Sequence, residues 1–227
     1  MKPYYFRPIF LITIFSSITL FTFAQEGVNV SLSNNSLNVA GKITSLPEAN
    51  YLYPDWHKGY VKFSDDKISR SLDLMYDLTN DRVIFKSPDN KAQTFKLFVK
   101  EFALINPAGD NSLLTKTYRN GFKEIDGNQS TSFYEILSDG KVKLLKKIQF
   151  KKVEEIEVGS IYRTKKLVPV DLYFVISNGE IKKVKKKQIV SVLDPKKLDL
   201  NLYLKTNKID LTKDKDLSTF FNYYNAL

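Results

Sequence analysis

Histidine and cysteine, two side chains often used in nucleophilic or acid–base catalysis, are almost absent from this sequence. His57 is the only histidine among 227 residues, and cysteine is absent. A zinc site or a Ser-His-Asp arrangement would therefore have to use His57. The sequence lacks the Gly-x-Ser-x-Gly turn that presents a nucleophilic serine. We interpret His57 as a loop or strand-edge residue and predict no catalytic residue.

The acidic residues do not predict a metal or catalytic site either. The alternating aspartates of 210–216 resemble a calcium loop, but Lys215 occupies the position of the required glycine and Phe221 that of the required glutamate. They fit the acidic first turn of a helix better. The glutamates at 154, 155 and 157 follow two lysines and indicate a solvated strand edge. With nine glycines and no phosphate-binding loop, we predict no cofactor and no metal.

An aromatic cluster is the first candidate binding surface. Exposed rings stack on sugars or contact proteins, although the same loop would also serve to plug one end of a β structure with the tryptophan inside. The candidate residues are Tyr51, Tyr53, Trp56 and Tyr60.

A lysine block is the second candidate. Residues 141–227 carry 20 basic and 10 acidic side chains, whereas residues 25–140 carry 13 and 15, so the net charge of +10 is concentrated in the C-terminal part. Such a block attracts an anionic envelope component or an acidic protein, or it blunts the edge of a sheet against aggregation. The densest part of the block comprises Lys182, Lys183, Lys185, Lys186 and Lys187.

The N-terminus has the layout of a secretory signal peptide over residues 1–24. Lys2 and Arg7 precede an uncharged apolar stretch over 9–24, which ends in a small residue, Ala24. An uncleaved anchor is the alternative, but sixteen residues are short for a bilayer. We predict a periplasmic or secreted protein without a transmembrane segment after cleavage. Export argues against nucleic acid as a partner.

The rest of the chain divides into three parts. Residues 25–50 read as a flexible tether with one weak strand at 28–32 or 37–43. Residues 51–187 alternate apolar and polar side chains, which predicts eight to ten strands. Asp139-Gly140 and Asn178-Gly179 predict tight hairpins in which both turn residues have positive φ. The expected fold is α+β and mainly β: an antiparallel sheet, sandwich or barrel.

Residues 188–227 are predicted to form two or three short helices packed on the β domain. Asp194-Pro195 would cap one helix, and a second would begin near Asp214. Its apolar face has helical spacing at Leu217, Phe220, Phe221 and Tyr224.

The chain resembles a family of exported, uncharacterised proteins of Bacteroidota-type bacteria. The resemblance rests on Phe23-Ala24-Gln25, on the segments 51–61 and 133–147, and on Tyr223-Tyr224-Asn225. It implies a location outside the cytoplasm and no known activity or site residue.

These observations favour an exported, non-enzymatic binding module whose partner the sequence does not identify. The alternative is a β-barrel carrier of a small hydrophobic ligand, because a high content of phenylalanine and tyrosine can line a cavity. A hydrolase that uses paired carboxylates ranks last.

Overall fold

The computed structural model describes residues 39–43, 50–107, 113–156, 163–193 and 200–227. Within these ranges, eleven strands form one antiparallel sheet. They are β1 Val39–Ile43, β2 His57–Phe63, β3 Ile68–Asp77, β4 Arg82–Lys86, β5 Ala92–Phe95, β6 Val99–Pro107, β7 Leu113–Arg119, β8 Tyr134–Ser138, β9 Lys143–Ile156, β10 Arg163–Ser177 and β11 Glu180–Val184. Two 3-10 helices (Lys186–Gln188 and Val190–Val192) and two α-helices, α1 Leu200–Thr206 and α2 Asp214–Ala226, follow.

The open sheet consists of two antiparallel meanders, β2 to β5 and β6 to β11, which are joined by the pairing of β2 with β6. Its order is β1-β5-β4-β3-β2-β6-β7-β8-β9-β10-β11, so that β1 joins the outer side of β5 and β2 pairs directly with β6. The predicted antiparallel, mainly β fold with short C-terminal helices is confirmed. Residues 51–187 contain ten described strands, β2 to β11, within the eight to ten predicted for them. The strand β1 lies within 37–43, one of the two places where a weak strand was predicted in the tether.

We call the part of the sheet from β1 to β7 its first half and the part from β8 to β11 its second half. Aromatic rings fill the concave side of the first half. The Tyr76 ring on β3 lies 5.1 Å from both Phe102 on β6 and Tyr118 on β7, measured between ring centroids. Because β2 and β6 separate β3 from β7 in the sheet, these contacts require the sheet to curl. Phe102 and Tyr118 are direct cross-strand partners and stack at 4.9 Å.

The close pairing of β2 with β6 depends on Gly59. This residue lies opposite Leu72 on β3 and Leu104 on β6. A Cβ atom here would lie 2.0 Å from the backbone oxygen of Ala103 and 2.9 Å from Leu74 Cδ1. Glycine is therefore needed because of close backbone approach.

The helix α2 covers one face of the second half of the sheet. Its buried residues contact Leu144 on β9 and Tyr173 and Val175 on β10. Both the start at Asp214 and the apolar face are confirmed: the buried residues are Leu217, Phe220, Phe221 and Tyr224. The predicted cap at Asp194-Pro195 lies outside the described residues. Among the described residues, no helix has the length and apolar character needed to span a membrane.

The two predicted hairpin turns have different outcomes. Asn178 and Gly179 have φ values of 53° and 75° and form the expected tight turn between β10 and β11. The prediction for Asp139-Gly140 is wrong, because neither residue has positive φ and four residues separate β8 from β9. The Asn225 side chain lies against Gly140 and bonds to this loop, which explains its wider form.

The long strands β9 and β10 project beyond their neighbours. The strand β8 pairs with β9 only up to Lys146, and β11 pairs with β10 only from Tyr173. Residues 148–156 and 163–171 therefore pair only with each other within the described chain. We call this two-stranded extension the arm; nine residues of strand span roughly 30 Å.

Candidate binding surfaces

A network of charged residues joins α2 to β9 and β10. Lys146 Nζ lies 2.7 Å from Asp214 Oδ2 and 2.8 Å from Asp171 Oδ2. Lys186 Nζ lies 2.9 Å from Asp214 Oδ1, and the Tyr173 hydroxyl donates a hydrogen bond of 2.8 Å to the same oxygen. The network thus satisfies both carboxylate oxygens of Asp214.

The protonation states of this network do not suit acid–base catalysis. Partial burial favours the protonated form of Asp214, but hydrogen bonds from Lys146, Lys186 and Tyr173 outweigh it and lower the pKa to about 2. Burial and the hydrogen bond to Asp214 raise the pKa of Tyr173. At neutral pH the Asp214 carboxylate is therefore ionised and the Tyr173 phenol is neutral, and their contacts hold α2 on the sheet.

A second buried ion pair connects the two halves of the sheet. Lys147 Nζ on β9 lies 2.7 Å from Asp81 Oδ2 in the β3–β4 turn and donates to the backbone oxygen of Phe133 at 3.0 Å. The Tyr76 hydroxyl also donates to Asp81, and burial raises the Tyr76 pKa well above its usual value. These contacts position the turn that ends β3.

The candidate chemical residues of the sequence lie apart from one another. Among the residues that the structure describes, no group of three or more His, Asp or Glu side chains is placed to hold a metal ion. His57 begins β2 and packs its ring 4.5 Å from that of Tyr53. The Glu154 carboxylate is exposed and pairs with Arg163 at 3.0 Å. Carboxyl groups whose pKa departs from the usual value are all shifted down, as is typical of ionised surface pairs.

An open groove of about 630 Å³ lies beside the filled core of the first half of the sheet. Its walls come from residues 80–83, 94–99 and 127–133. Phe95 and Phe133 contribute apolar surface, and the exposed side chains of Leu97 and Phe98 stand at its edge, 37% and 49% accessible. We call this feature the Phe98 groove. Its volume is within the range of known ligand sites.

The four candidate aromatic residues do not form one platform. Tyr51 and Trp56 pack against Met75, Ile84 and Ala92 on the convex face of the sheet, whereas Tyr53 packs against the ring-filled core. The Tyr60 hydroxyl donates to Glu101 at 2.9 Å, and the Arg70 guanidinium lies 6.0 Å from the Tyr60 ring. The tryptophan therefore packs on the convex face of the sheet and not in the ring-filled core.

The lysine block lies at the edge of the sheet. Lys182 and Lys183 are on the edge strand β11, where Lys183 pairs with Asp126 and Lys182 is 3.7 Å from Glu180. Lys186 belongs to the Asp214 network, while Lys185 and Lys187 are exposed. A hollow of about 410 Å³, which we call the lysine notch, is lined by Asp171, Leu172, Tyr173, Lys183, Val184, Lys185 and Lys186.

Sequence reasoning missed the Phe98 groove because its three walls are far apart in the chain. The one local signal was Leu97-Phe98, two adjacent large apolar residues in a stretch of alternating side chains. Two adjacent apolar residues in a strand cannot both face the core, and in the structure both lie in the connection between β5 and β6. No protein family, curated protein or solved structure matches this chain.

Proposed function

We propose that the protein is an exported binding module of the cell envelope, and that it binds an apolar side chain of a partner protein in the Phe98 groove. The observation that carries this proposal is the groove itself: an open concavity with Leu97 and Phe98 exposed at its edge. Exposed aromatic anchors around a pocket are typical of protein–protein contact sites. The signal-like N-terminus supports export.

The filled core favours a partner protein over an enclosed small ligand. A carrier surrounds most of its ligand with protein. Here the rings of Tyr76, Phe102 and Tyr118 occupy the space that such a ligand would need. The groove is open to solvent and its edge combines Phe98 with polar residues such as Gln129 and Thr131, which suits a polypeptide with both apolar and hydrogen-bonding groups.

Site-specific crosslinking tests the proposal. A photoreactive amino acid is placed at Leu97 in the groove, and separately at Leu202 on α1, an exposed leucine outside the groove. We expect the groove position to capture one defined envelope protein in the producing cell and Leu202 not to do so. Adding Phe98→Ser to the Leu97 variant should reduce that capture about tenfold, because an aromatic anchor is lost.

Two results would contradict the proposal. Equal capture at Leu97 and Leu202, or capture that Phe98→Ser does not change, would exclude the groove as the partner site. Saturable one-to-one binding of a small apolar dye that Phe98→Ser abolishes, without any protein captured at Leu97, would favour the carrier instead.

A further inference from the structure

We infer that one face of the arm, together with the lysine notch, docks the protein on an anionic membrane surface. This inference concerns a different part of the molecule from the Phe98 groove and does not rest on it. It starts from the exposure of the arm: Lys152, Lys165 and Leu167 are all exposed, with Leu167 48% accessible. A two-stranded ribbon has little stability of its own in water, so a surface that covers one face would stabilise it.

The β9–β10 register determines which residues share that face. Lys152 lies opposite Leu167, and Lys165 lies opposite Glu154, without a register shift along the ribbon. Because side chains alternate between faces, these residues lie on the same face as Tyr173. The opposite face carries Lys151 and Lys166, with Val153 directly across from Lys166.

The lysine notch lies at the edge of the sheet at the base of the arm, where Tyr173 and Val184 belong to this face. Lys186 Nζ lies 4.8 Å from the centroid of the Tyr173 ring, and the exposed Lys185 is next to it on the rim. The notch, of about 410 Å³, combines the apolar surface of Val184 with the ammonium groups of Lys183, Lys185 and Lys186, of which Lys183 and Lys186 also pair with Asp126 and Asp214. A lipid phosphate group would find cationic donors there, and the acyl region would find aliphatic contact.

The combination of lysine and aliphatic side chains favours a membrane over a soluble polyanion. Lysines bind anionic headgroups and lay their methylene stems on apolar surface, while an exposed leucine enters the boundary between headgroups and acyl chains. A soluble acidic polymer would use the lysines alone. Glu154 does not oppose this, because Arg163 holds its carboxylate at 3.0 Å.

The two faces of the arm provide a matched experiment on the purified protein, with the same N-terminus in every variant. Binding to phosphatidylglycerol-containing vesicles is measured at low and high salt, with phosphatidylcholine vesicles as the uncharged control. We expect Lys152→Gln/Lys165→Gln to weaken binding about tenfold and Lys151→Gln/Lys166→Gln to have little effect. Leu167→Ser should weaken binding about fivefold, and Val153→Ser should not.

A Lys152→Arg/Lys165→Arg variant keeps the charge and should bind like the wild type, which separates charge loss from misfolding. Equal losses for the two lysine pairs would overturn the assignment of the face. Vesicle binding that is unchanged by Leu167→Ser, with equally tight binding to soluble dextran sulfate, would show that the ligand is an acidic polymer. Absence of binding to anionic vesicles at low salt would overturn the inference altogether.

Discussion

The side-chain amide of Asn225 bonds to both backbone polar groups of Val142, a residue 83 positions earlier in the chain. Its Oδ1 accepts from the Val142 N–H at 2.9 Å, and its Nδ2 donates to the Val142 carbonyl at 2.8 Å. The amide thus bonds to the Val142 backbone as the backbone of a neighbouring strand would. This contact fixes the last turn of α2 on the β8–β9 loop.

We expect Asn225→Ala to reduce the free energy of unfolding by about 2 kcal/mol, because two backbone groups lose their partner. Asn225→Asp should cost at least as much at pH 7, since a carboxylate cannot donate to the Val142 carbonyl. Urea unfolding followed by circular dichroism measures both. The exposed Asn201 on α1 provides the control, and an equal loss for Asn201→Ala would contradict the role of this contact.

The Asp214 network predicts a stability change in acid. The folded-state pKa of Asp214, about 2, is below the ordinary 3.8. The stabilisation from its ionised carboxylate is therefore present above about pH 4 and is lost as the pH falls towards 2. Asp214→Asn should cost about 2 kcal/mol at pH 7 and should flatten the acid decline of stability. Urea unfolding across pH 7 to 2 measures this.

Asp171 is the control for that experiment, because its side chain is 43% exposed, pairs with Lys146 at 2.8 Å and accepts from the Tyr173 hydroxyl only at 3.4 Å. Asp171→Asn should cost less than half as much as Asp214→Asn. An acid decline with the same slope in Asp214→Asn and wild type would show that another group causes it.

The Lys147–Asp81 ion pair should show strong coupling. Lys147→Met leaves a carboxylate without its cation and should cost about 3 kcal/mol. Asp81→Asn is a mild partner variant because asparagine tolerates the φ of 52° found there. The double variant should be clearly more stable than the sum of the single losses predicts. Additive losses in this cycle would mean that the pair does not link the two halves of the sheet.

Two glycine substitutions separate crowding from backbone strain. Gly59→Ala brings a Cβ into the Ala103 carbonyl and should cost more than about 3 kcal/mol. Gly179→Ala has open space but a φ of 75° and should cost about 1 kcal/mol. Thermal unfolding of both variants measures the difference, and similar losses would refute the crowding argument.

Local sequence patterns predicted those parts of the fold whose determinants are close in the chain. The helix α2 follows from apolar spacing within it, and the Asn178-Gly179 turn from two residues that accept positive φ. The Asp139-Gly140 turn has the same local chemistry, yet Asn225 bonds beside it and the loop is wider. A contact across 83 residues has no local signal.

The distance along the chain between contacting residues also explains which candidate surfaces the sequence could predict. The lysine block stays at one edge of the sheet because it lies on β11 and in the 3-10 helix that follows, although Lys182 and Lys183 face opposite sides of the sheet. The candidate aromatic residues do not lie together, because the irregular segment before β2 places Tyr51 and Trp56 on one face of the sheet and Tyr53 on the other. The Phe98 groove needs three segments that only the curled sheet brings together.

The position of α2 after the eleven described strands has a consequence for biogenesis. The ribosome completes the strip formed by Leu144, Tyr173 and Val175 before it makes the helix that covers this strip. Until α2 is made, any sheet that has already formed exposes this apolar surface, to which chaperones and proteases bind. Quality control in the producing cell would recognise chains that lack α2 by this surface, whereas finished molecules conceal it.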